Sequence, residues 1–75
     1  MKVELKPLPP LDKRVKEGIY EVPDNMTIRQ ILEMLGIPAR EVREMRALLN
    51  GKHAGMEASP EDGCTIIIIP TLAGG

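Results

Sequence analysis

A small α+β domain is predicted by three stretches of the sequence. Lys2-Val3-Glu4-Leu5-Lys6 alternates polar and apolar residues strictly, Thr27 to Leu35 carries a capped amphipathic helix pattern, and Cys64 to Ile69 is a short, largely β-branched apolar run. The chain of 75 residues has room for one such domain, with a globular body at residues 2–70 and a flexible tail at residues 71–75. A domain of this size buries only about 60% of the surface its unfolded chain exposes, which leaves a core but little space for a deep active-site pocket.

The elements follow in order. In the first strand Val3 and Leu5 share one face and Lys2, Glu4 and Lys6 the other, the period-2 signature of a half-buried strand. Pro7, Pro9 and Pro10 end it, and Asp12-Lys13-Arg14 form a polar connection to a second alternation through Gly18, Tyr20 and Val22. These two strands read as a hairpin with a long loop. Thr27 stands three residues before Gln30, the spacing of a capping box. Ile28, Ile31, Leu32 and Leu35 then make one apolar stripe, with Arg29, Gln30 and Glu33 facing water; Gly36 and Pro38 stop the helix.

Local rules disagree over residues 39–49. Propensity favours a second helix there, yet Met45, Ala47 and Leu49 alternate and run into Asn50-Gly51, the strongest two-residue hairpin signal. A turn at residues 39–43 and a strand at 45–49 are expected, because a sheet with strands at both chain ends needs partners. Lys52-His53-Ala54 is then a short return strand, and Ser59 to Gly63 a polar turn into the final strand. Apolar residues on both faces of Ile66 to Ile69 suggest an interior, parallel strand, and Pro70 ends its pairing.

Composition excludes several function classes. A net charge of −1 and a pI near 5.8 give no global reason to expect nucleic-acid or anionic-membrane binding. The single cysteine fits a reducing compartment, and the N-terminal residues lack the apolar core of a signal peptide, so the expected location is cytoplasmic. His53 and Cys64 have no metal-ligand spacing to anything, and the glycines fit no phosphate loop. Glu41, Glu44, Glu57 and Glu61 read as solvated, as does the basic cluster Lys13, Arg14 and Lys16. Arg40, Arg43 and Arg46 read as solubilising or protein-interface residues, since no aromatics interleave with them.

The tail Pro70-Thr71-Leu72-Ala73-Gly74-Gly75 remains. A terminal carboxylate is ionised at neutral pH and is a poor electrophile until it is activated. Residues without Cβ atoms allow such a tail to thread a narrow cleft. Two readings stand side by side: an arm presented to a partner enzyme, and a frayed end in glycine.

The Asn50-Gly51 turn, the Asp62-Gly63 turn, the run Ile66 to Pro70 and the closing Gly74-Gly75, behind the capped helix, resemble the ThiS/MoaD family of ubiquitin-like sulfur carriers. The resemblance spans essentially the whole chain and lies in the ordered combination. It implies a β-grasp fold, a mixed sheet of four to five strands wrapped around one helix, with the last strand parallel to the first. It also favours strand at residues 45–49. Cys64 stands where the family often has an acidic residue, and Thr71 replaces a frequent second proline.

In that family the terminal glycine is adenylated by a ubiquitin-activating-like enzyme using ATP and converted to a thiocarboxylate that donates sulfur. The carrier binds no cofactor and is not itself an enzyme. Carried over, Gly75 would bear the sulfur, Gly74 would permit access, and Pro70, Thr71, Leu72 and Ala73 would contact the partner. The sulfur acceptor would be a molybdopterin synthase large subunit or a thiazole synthase, the ending of this chain favouring the molybdopterin side. Transfer-RNA thiolation and protein modification use the same tail. The rival of another class is a β-grasp interaction module whose tail is incidental.

Overall fold

Alternation along the first strand puts Val3, Leu5 and Pro7 inside, and the computed structural model, which describes residues 1–70, builds its core on that face. Strand β1 (Lys2–Pro7) pairs antiparallel with β2 (Gly18–Glu21) and parallel with β5 (Cys64–Ile69). Strand β3 (Arg46–Leu49) pairs antiparallel with β5 on its other side, and β4 (Lys52–Ala54) closes the row, giving the order β2-β1-β5-β3-β4. This is the β-grasp arrangement, with β5 as the interior, parallel strand that its two-sided apolar pattern predicts.

Helix α1 (Ile28–Met34) starts where Thr27 predicts. The Thr27 hydroxyl accepts from the Gln30 amide at 3.1 Å and the Gln30 side chain accepts from the Thr27 amide at 2.9 Å, so both bonds of the capping box are made. Two further amides of the first turn, those of Ile28 and Arg29, donate to the Ala58 and Met56 carbonyls at 2.9 and 2.8 Å. The helix start therefore holds the loop between β4 and β5. Gly36 follows in a left-handed conformation, φ 98°, which ends the helix without a Cβ clash.

Ile28, Ile31 and Leu32 press against Leu5, Ile66 and Ile68, and all six are essentially fully buried. Full burial of each such side chain is worth about 2–3 kcal/mol, so this layer is the main source of stability. Leu11, Val15, Ile37, Val42 and Met45 extend the same core toward the end of β5.

Three expectations are refined. The connection after β1 is not merely polar: Leu11–Lys13 form a 3₁₀ turn that buries Leu11, and Val15 is buried behind it. Residues Ala39–Val42 form a one-turn helix, α2, started by Pro38, instead of a plain turn. Strand β3 begins at Arg46, one residue later than expected, because the Met45 amide still bonds back to the Val42 carbonyl at 3.0 Å. The hairpin signal holds: Asn50 and Gly51 have φ of 48° and 87°, the two positive values that a type I′ turn requires.

Truncating the central layer should cost far more than removing the cap. Ile68→Ala is expected to lose about 3 kcal/mol through the buried cavity it leaves, and Thr27→Ala about 1 kcal/mol through the lost cap, both measured by urea unfolding.

Candidate functional site

The pleat of β5 divides its isoleucines. Ile66 and Ile68 face the helix with no exposure, while Ile67 and Ile69 face outward and are half-buried. On that outer face Ile67 lies opposite Leu48 of β3 and Lys6 of β1, and Ile69 lies opposite Arg46. Glu4 accepts from the Thr65 hydroxyl at 3.1 Å on the same face, and beyond it Ile19 of β2 is 72% exposed. The result is an apolar strip edged by charged groups, the form of a docking surface.

Pairing of β5 stops at Ile69, and Pro70 leaves the sheet half-buried. Thr71, Leu72, Ala73, Gly74 and Gly75, the other residues expected to act, lie outside the described residues. Pro70 lines a cavity of about 600 Å³ with Pro10, Leu11 and Met45 as its apolar part. Arg14, Arg40 and Arg43, with Glu41 and Glu44, supply its charges.

Two of the four glutamates expected to be solvated are engaged by arginines. Arg14 donates to both carboxylate oxygens of Glu41, at 2.6 and 3.2 Å, and Arg29 reaches Glu57 at 2.6 Å and Glu33 at 3.1 Å. The hydrogen bond from Arg14 holds the Glu41 carboxyl below the usual glutamate range. Arg40, Arg43 and Arg46 lie at two places: the first two border the cavity, and Arg46 belongs to the outer sheet face. His53 is exposed on β4, while Cys64 is buried at the start of β5, where burial pushes its thiol up. Among the described residues no group of side chains is arranged to hold a metal ion, and no helix is long and apolar enough to cross a membrane.

The convergence of Leu11, Arg14, Glu41 and Met45 on Pro70 was not readable from spacing. Arg14 and Glu41 are 27 residues apart, and only the fold of the connection after β1 against α2 brings them together.

The sheet order, the capped helix and the parallel terminal strands define a ubiquitin-like β-grasp protein. The chain belongs to the Mut7-C ubiquitin family, whose model matches residues 1–74. Among solved structures it is similar to the HVO 2177 protein of Haloferax volcanii, with 26% identity, a TM-score of 0.76, and coverage of 100% of this chain and 87% of that one. It is similar to a putative molybdopterin converting factor subunit 1 of Pyrococcus furiosus, with 16% identity, a TM-score of 0.71, and coverage of 96% and 99%. It is also similar to small archaeal modifier protein 1 of H. volcanii, with 20% identity, a TM-score of 0.70, and coverage of 95% and 98%. No curated protein matches by sequence. The likeness agrees with the ThiS/MoaD resemblance in fold.

Two measurements check the local chemistry. A glutamate whose pKa is depressed by folding stabilises above its unfolded value and loses that contribution as pH falls through the folded value. An NMR titration should therefore place the Glu41 midpoint below that of an ordinary glutamate, and Arg14→Ala should raise it. Cys64 should alkylate slowly in the native protein and readily in urea, followed by intact mass.

Proposed function

We propose that the chain is a ubiquitin-like sulfur carrier acting through Gly75. In this reading the Gly75 carboxylate attacks the α-phosphorus of ATP in an activating enzyme, and pyrophosphate leaves. Sulfide supplied by the partner's sulfur source then attacks the acyl carbon of the adenylate, its carbon–oxygen bond to phosphate breaks and AMP leaves, which gives the thiocarboxylate directly. Gly74 gives the main chain access to the partner's site, while Pro70, Thr71, Leu72 and Ala73 meet its entrance. The sulfur is destined for molybdopterin formation, with a molybdopterin synthase large subunit as acceptor, and the chain itself remains a protein substrate. Thiazole synthesis, transfer-RNA thiolation and protein modification are the other destinations the same chemistry serves.

The observation that carries this reading is the delivery of the chain at Pro70. The interior strand is held by β1 as far as Ile68 and by β3 as far as Ile69, and Pro70 beyond it lines the cavity next to an outer apolar strip. A body that fixes the place of Pro70 suits a protein whose following residues are handled by other proteins. Two fold neighbours, a small archaeal modifier and a putative molybdopterin converting factor subunit, support the class. A second reading, a β-grasp interaction module with an incidental tail, draws on the same outer strip of Leu48, Ile67 and Ile69.

The two are separated by intact mass. Protein isolated from its source, or incubated with ATP, the cognate activating enzyme and a sulfur donor, should end at Gly75 and gain about 16 Da as oxygen is replaced by sulfur. Deleting Gly74 and Gly75 should abolish this change and leave the unfolding midpoint unaltered. A tail deletion that preserves function in the source organism would instead favour the interaction module.

A further inference from the structure

The cavity at the end of β5 has features that the proposed carrier chemistry does not use. Its floor is apolar, made by Leu11, Met45 and Pro70, and its rim carries Arg40 and Arg43. Both arginines are exposed, and among the described residues neither makes an ion pair. Arg14 and Glu41 neutralise one another through their two-bond contact. Two arginines against the single remaining carboxylate, Glu44, leave this corner positive on a chain whose net charge is −1.

The volume of about 600 Å³ takes one or two large apolar side chains. Arginine and methionine are also among the residue types enriched in protein interfaces, and arginine among those that carry most of the binding energy. We propose that this cavity docks an acidic segment of a partner protein, with an apolar side chain seated on Leu11, Met45 and Pro70 and flanking carboxylates held by Arg40 and Arg43. A nucleic acid is less well served, because Tyr20, the only aromatic residue, lies on β2 and does not line the cavity, which leaves no stacking platform for a base.

A second copy of this chain is poorly equipped to supply the segment. Its acidic end, at the start of β1 and β5, already spends Asp24 on the Met1 ammonium at 3.0 Å and Asp62 on the Lys2 amide at 2.6 Å. The docking depends on neither Gly75 nor sulfur transfer, and it stands or falls separately from the carrier reading.

The test uses the full chain labelled with nitrogen-15 and a short, N-acetylated, C-amidated peptide of leucines flanked by glutamates. The peptide should shift the amides of Leu11, Arg14, Arg40, Arg43 and Met45 in a saturable manner and more weakly as salt is raised. The double variant Arg40→Ala/Arg43→Ala should bind about tenfold more weakly, with an otherwise unchanged spectrum, and Arg43→Glu alone should weaken binding in the same direction. Equal binding of a lysine-for-glutamate peptide, shifts confined to the outer sheet face, or no saturation would overturn the proposal. Self-association in sedimentation experiments, abolished by the double variant, would reassign the cavity to a second copy and likewise overturn it.

Discussion

Strand β5 has no free edge. Its backbone groups are taken by β1 on one side and β3 on the other, its inner side chains by α1, and its ends are pinned as well. At the start, the Gly63 amide donates to the Lys2 carbonyl at 2.7 Å and the Lys2 amide donates to Asp62. One residue into the strand, the hairpin turn of β3 and β4 reaches across: the Asn50 amide donates to the Thr65 carbonyl at 2.9 Å, and the Thr65 amide returns a bond to the Asn50 side chain at 3.0 Å. At the far end the Leu8 amide continues the ladder to the Ile68 carbonyl at 2.9 Å. The position and direction of Pro70, and with them the cavity and the outer apolar strip, follow from this one strand.

Separation of roles is the second consequence. The inner face of the sheet spends its apolar residues on cohesion, and among the described residues no buried side-chain polar atom lacks a partner. The outer face and the corner at Pro70 keep arginines, half-buried isoleucines and an exposed loop, groups that stabilise little on the protein by itself. Surface that contributes little to folding is surface that recognition can use without disturbing the fold.

Elements governed by neighbours in sequence were legible in the sequence. The capping box spans three residues, the type I′ turn two, and the alternation of β1 six, and each formed as its local chemistry requires. Strand β3 was legible only against propensity, because good helix formers were overruled by tertiary pairing with β5. The cavity was not legible. It is built from the 3₁₀ turn after β1, from α2 and from Pro70, whose meeting depends on how the connections fold over the end of the sheet. The same holds for the Arg29–Glu57 pair, where the loop before β5 comes back onto the helix start.

The parallel pairing of β1 with β5 joins the first and last strands of the described chain, and it has a mechanical meaning. A load applied at Met1 and Pro70 draws these two strands in opposite directions along their shared ladder, so that its bonds are sheared together instead of being unzipped one at a time. A motor or translocating protease that pulled on this molecule from its far end would meet its strongest seam first.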